Sequence, residues 1–181
     1  MAAESSAADK IAHLAVNLFQ GWGYNFYRKE NLLRADDLML RARVSELLIA
    51  AKMSVAAAEK TYRREFLPAP TREKPRPDAA ALRDAQTLER LAASIGGLEG
   101  HIRALPVPEP DRMTAHLRRE AETLSRLLEA DQAMVGHAEF LRSLLVAAGA
   151  AWILEHAADL AAQIGAIEAA IQSRRDVLSL V

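Results

Sequence analysis

The residues equipped to bind or react are few, and most lie in one stretch. Segment 19–41, FQGWGYNFYRKENLLRADDLMLR, holds Phe19, Trp22, Tyr24, Phe26 and Tyr27, five of the nine aromatics in the chain. Among and after them come Asn25, Arg28, Asn31, Arg34, Asp36, Asp37 and Arg41. Trp, Tyr and Arg dominate interaction hot spots, because each pairs a large contact face with a polar handle. Trp22, Tyr24, Asn25, Tyr27, Arg28, Asn31, Arg34, Asp36, Asp37 and Arg41 are therefore the candidate partner- or ligand-binding residues. If the segment is helical and continuous with residues 42–66, then Phe19, Phe26, Leu33, Leu40 and Leu47 form a line at seven-residue spacing, and Lys29 with Asp36 or Asp37 turns toward the core. A buried charge is costly unless paired, so this polar layer needs partners or a ligand. Two readings stay open. One is an aromatic plug at one end of a bundle, bent by Gly21 and Gly23, with its Arg and Asp residues pairing among themselves. The other is a binding surface.

Catalytic signatures are missing. The sequence has no phosphate loop, dinucleotide fingerprint, HExxH, nucleophile elbow, EF-hand loop or paired Glu-x-x-His. With no cysteine, disulfides, thiolate metal sites and thiol nucleophiles are excluded. Of the five histidines, His101, His116, His137 and His156 each precede a residue of an apolar seam, which places them at interface edges; His13 is the fifth. Folding the chain about PVPEP at 106–110 would bring His101 and His116 to one height on adjacent helices, with Glu120 a turn further on. Two imidazoles and a carboxylate make a weak transition-metal candidate, and edge histidines in ordinary packing are the simpler reading. No cofactor is expected.

The elements that must position these residues are helices. The hydrophobic fraction is 51% with only 5% aromatics, and about a fifth of the chain is alanine, so helix formers dominate. Prolines occur only in PAPTREKPRP and PVPEP, which mark linkers at 67–77 and 106–110 within one domain spanning 1–181. A first helix is expected over 6–20. A second, beginning near Tyr24 or capped by Asp36 or Asp37, runs to Phe66 with a seam of Leu40, Val44, Leu47, Ala51, Val55, Ala58, Tyr62 and Phe66. A third starts after the cap candidate Asp78 and carries Leu88, Leu91, Ile95, Leu98, Ile102 and Leu105. A fourth begins near Asp111 and reaches Leu145. After a turn at Gly149 the last carries Ile153, Ala157, Leu160, Ile164, Ile167 and Ile171. Short or proline-stiffened connections make successive helices antiparallel neighbours. The whole reads as an all-α antiparallel bundle of about four long helices plus a shorter N-terminal one. Gly96, Gly97 and Gly100 within the third helix imply close packing against a crossing helix or a local break.

Charge narrows the partners. With 23 basic and 24 acidic residues, net −1, there is no global field for a polyanion, and nucleic acid is not expected. The basic group Lys60, Arg63, Arg64, Arg72, Lys74 and Arg76 is diluted by Glu65 and Glu73 and reads as a solvated face. The apolar run 144–154 is too short to span a bilayer, and no stripe pairs strong hydrophobicity with a basic face, so no membrane partner is expected. The start, MAAESSAADK, has no basic and apolar signal pattern, which makes the cytoplasm the expected location. Eighteen of the 23 basic residues are arginine, a bias of GC-rich bacterial coding. These features lead to a non-enzymatic interaction or assembly bundle that presents 19–41 to a protein partner, a second copy of itself included. The alternative is a small-molecule- or metal-binding bundle, an enzyme among the options, whose pocket is lined by the same segment.

Overall fold

The computed structural model describes residues 10–11, 13–18, 21, 30–72, 76–105 and 120–179, excepting the side chains at 30–36, 120–124 and 178–179. All regular structure among them is α-helical: α1 (Glu30–Phe66), α2 (Ala79–Arg103), α3 (Glu120–Leu145), α4 (Ala150–Glu155) and α5 (Ala157–Ser179), with residues 13–18 also helical. None of these helices is long and apolar enough to cross a membrane. At 37 residues α1 extends about 55 Å at 1.5 Å per residue. Asp78 caps α2 as its sequence position suggests, its carboxylate accepting from the Ala80 N–H at 2.9 Å.

Four helices form the core, with α1 against α2 and α3, and α5 against α3 and α2. Cross-links along the α1–α2 pair run from Tyr62–Asp84 to Arg41–Leu105, so these two helices are antiparallel. The α3–α5 pair is antiparallel too, through His137–Gln163 and Arg174–Asp131. One end of the bundle therefore gathers the start of α1, the end of α2 and the end of α5. The other gathers the end of α1, the start of α2 and the α3–α4 turn.

The structure corrects one expectation about neighbours. Consecutive helices α2 and α3 are not among the packed pairs and sit at diagonal corners. The 14 residues between Leu105 and Glu120, at up to about 3.5 Å each, give ample reach for a diagonal crossing. His101 is exposed on α2, His116 lies outside the described residues, and Glu120 opens α3. The shared-height argument for that metal set assumed adjacent helices and loses its geometry.

Burial tracks the apolar seams closely. Leu88, Leu91, Ile95, Leu98, Ile102 and Leu105 are all buried, as are Leu160, Ile164, Ile167 and Ile171. On α1 the buried set is Leu40, Val44, Leu48, Ala51 and Val55, and Leu47 is only partly covered. A seven-residue step drifts about 20° around a straight helix, which swings Leu47 off the seam and Leu48 onto it. Phe66, expected in the seam, is 49% exposed and packs its ring against Tyr62 with centroids 4.6 Å apart. The last helix is not continuous. His156, at φ −101° and ψ 17°, separates α4 from α5, and its Nδ1 lies 2.9 Å from the Trp152 carbonyl, which also accepts the His156 backbone N–H.

The close approach expected at the glycines of α2 occurs elsewhere. A Cβ on Gly97 or Gly100 would meet nothing within 4 Å, and one on Gly96 would meet only the Lys52 side chain. On Gly136 of α3 it would fall 2.5 Å from Ile11 Cγ2 and 2.6 Å from the Ile11 carbonyl oxygen. Gly136 is thus the position that lets the N-terminal segment lie against α3.

Candidate functional site

The end of the bundle at the start of α1 contains a charge cluster with no exposed member. Asp37, Asp131 and Arg174 have no solvent exposure, and Arg41 has 8%. Arg174 donates from Nε to Asp131 Oδ1 at 2.7 Å and from Nη2 to Asp37 Oδ1. Arg41 Nη2 lies 2.8 Å from Asp37 Oδ2, an ionic approach rather than an aligned hydrogen bond, and its Nη1 donates to the Leu105 carbonyl at 2.6 Å. Two guanidinium groups balance two carboxylates, so the interior charge is neutral. Isolated, each of these ions would be strongly disfavoured in so dry a place, and mutual pairing is what makes the arrangement tenable.

The cluster ties four helices together. Asp37 and Arg41 sit on one face of α1 a turn apart, Arg41 reaches the end of α2, and Arg174 of α5 joins α1 to α3. Asp37 is therefore an interior residue of α1 and not the cap of a helix starting beside it, since α1 is already helical at Glu30. Both oxygens of Asp37 face guanidinium groups, so its contacts are made within the bundle.

Of the other candidate residues, Asn31, Arg34 and Asp36 lie on α1 with their side chains outside the described set. Trp22, Tyr24, Asn25, Tyr27 and Arg28 lie outside the described residues altogether. The structure thus brings together two of the ten, Asp37 and Arg41, and adds Asp131 and Arg174. The sequence reading missed these two, although both continue a seam. Leu160, Ile164, Ile167, Ile171 and Arg174 step by four, three, four and three, and Leu127, Asp131, Met134, Ala138, Leu141 and Leu145 do the same. A charged residue at a seam position on each of three helices is the signal of a buried cluster.

The opposite end carries a different feature, a groove of about 800 Å³ between the last four turns of α1 and the α3–α4 turn. Met53, Ala57, Ala58, Thr61 and Phe66 line one bank, and Leu145, Val146, Ala148, Ala150 and Ala151 the other. Met53 is 66% exposed and Val146 62%, an unusual outlay of large apolar surface. The polar groups in the groove are mostly engaged. Ser54 Oγ donates to the Ala50 carbonyl, and Tyr62 donates to Asp84 Oδ2 at 2.9 Å. Desolvation, reinforced by that hydrogen bond and the negative charge of Asp84, raises the Tyr62 pKa above 10, so its phenol stays protonated. Among the described residues, Glu65 is the only charged one in the lining.

No family model, curated protein or solved structure matches the chain. Its chemistry must be read from these two ends. Among the described residues no three His, Asp or Glu side chains are grouped so as to hold a metal ion.

Proposed function

We propose that the chain is a non-enzymatic interaction bundle that seats an amphipathic helix of a partner protein in the groove between α1 and the α3–α4 turn. The groove carries the reading. Its lining is mostly apolar and includes five alanines, small side chains that let a helix backbone approach closely. Exposed Met53, Phe66 and Val146 stand at its margins as flexible or aromatic contacts. A small-molecule pocket would instead offer several convergent polar groups, and the Ser54 and Tyr62 hydroxyls are already bonded to the protein itself.

The charge cluster supports this reading from the other end, as a rigid clasp that holds four helices in register. It also bears on segment 19–41, since Asp37 and Arg41 spend their charge inside the bundle. One observation favours a second contact surface in that segment: Leu38, beside Asp37, is 54% exposed. A cytoplasmic, bacterial setting belongs to the same proposal, its bacterial part supported by the arginine-rich composition. Association with a second copy would be a further use of the exposed apolar surface, checked by light scattering.

Site-specific photo-crosslinking tests the reading. A photoreactive residue at Ala57 should yield one dominant product in cells, whose sequenced peptide is an amphipathic helix of another protein, while the same probe at exposed Gly97 should not. Scattered products, or equal yields from both positions, would overturn it.

A further inference from the structure

We infer that the helix taken by this groove is acidic. The inference rests on the docking role proposed above and concerns the charge of the occupant. Helical spacing puts Met53, Ala57, Lys60, Thr61 and Arg64 on one face of α1, so the two cations flank the outer margin of the groove. Both are exposed, and neither makes an ion pair among the described residues. The other arginines of this helix from residue 41 to 63 are matched: Arg41 with Asp37, Arg43 with Glu46, and Arg63 with both Glu59 and Glu89. Lys60 and Arg64, four residues apart, instead repel each other.

The facing bank offers them no acid, since residues 143–151, SLLVAAGAA, are uncharged. Glu65 is the one acidic group among the described lining residues, against two cations at the rim. A helix seated with its apolar stripe on Ala57, Ala148 and Ala150 would bring its flanking residues beside Lys60 and Arg64. Glutamate or aspartate there turns a like-charge repulsion into two cross-helix ion pairs, and lysine adds to the repulsion.

Fluorescence polarisation with the full chain tests this directly. The probes are two labelled helical peptides of about 18 residues, or five turns. They share a Leu/Ala stripe and differ only in carrying Glu or Lys at the flanking positions. The Glu peptide should bind about tenfold more tightly at low salt, the sum of a few exposed pairs. That preference should vanish near about 0.5 M NaCl, where screening is strong. It should disappear in Lys60→Gln/Arg64→Gln and invert in Lys60→Glu/Arg64→Glu. Equal binding of both peptides, lost in Ala57→Trp, would overturn the acidic preference while leaving the groove as a docking site. Binding of neither peptide would overturn both, as would a dimer that Ala57→Trp dissociates, since the occupant would then be a second copy.

Discussion

Arg174 reaches Asp37 across 137 positions of sequence, and the guanidinium that makes this contact also holds Asp131 through its Nε. One side chain thereby joins three helices. The energetics of such a cluster are asymmetric: removing one member strands its partners, whereas replacing all of them with apolar groups strands nothing.

Arg174→Met should therefore lower unfolding stability in urea by about 3–5 kcal/mol, because Asp37 and Asp131 lose a buried cation. The quadruple replacement Asp37→Leu, Arg41→Met, Asp131→Leu and Arg174→Met should recover most of that loss or exceed the parent. A single variant costing under about 1 kcal/mol would show that the carboxylates find water instead.

Gly136→Ala should be costly for a small change, about 1–3 kcal/mol by overpacking, because the obstructing Ile11 atoms include a backbone oxygen that cannot swing aside as a side chain can. Hydrogen exchange should show protection lost at residues 13–18 and retained in α5. Uniform loss across the bundle would mean that Gly136 serves another contact.

Gly97→Ala should act in the opposite direction. The site is exposed, helical and empty within 4 Å of the new methyl, so replacement should stabilise by about 1 kcal/mol through helix propensity. A thermal melt shifted upward by about 2–4 °C is the expected readout. No shift, or a fall, would point to a role for that glycine outside α2.

The Ser45–Glu99 bond between α1 and α2 gives a pH signature. Ser45 Oγ donates to Glu99 Oε1 at 2.5 Å, and this bond, with Arg103 and Lys52 acting against partial burial, holds the Glu99 carboxyl below its usual 4.5. Because the folded pKa is depressed, the stabilisation is present above that usual value and is lost as pH falls through the folded one. Ser45→Ala should raise the Glu99 pKa toward 4.5 in a carboxyl NMR titration and soften the acid limb of the stability curve. An unchanged Glu99 titration would assign the depression to Arg103 and Lys52.

The helical architecture was legible because its signals are local. Proline clusters, the Asp78 cap and three-four steps on α2 and α5 each act within a few residues, and burial tracks them. Leu47 against Leu48 shows where local reading slips, by one residue over a long helix that drifts against a strict heptad. Which helices become neighbours was not legible, since α2 and α3 are joined by a stretch long enough to cross the bundle. The partners of Asp37 were only half legible. A pairing with Arg41 is implied by four-residue spacing, whereas Arg174 required a reading of the last helix as a seam interrupted by charge. The groove had no sequence signature, because Phe66 sits at a seam position that reads as core until the opposite bank is placed. It forms where the α3–α4 turn, built of Val146, Ala148 and Gly149, leaves α1 uncovered.

Methyl NMR of the full chain with the helix identified by cross-linking tests the docking role most directly. The account predicts shifts confined to the Met53 methyl, the Ala57 and Thr61 methyls and both Val146 methyls, with Leu38 and Leu82 unmoved. Shifts centred on Leu38 at the charge-cluster end, or no shift at Met53 and Val146 under saturating helix, would contradict it.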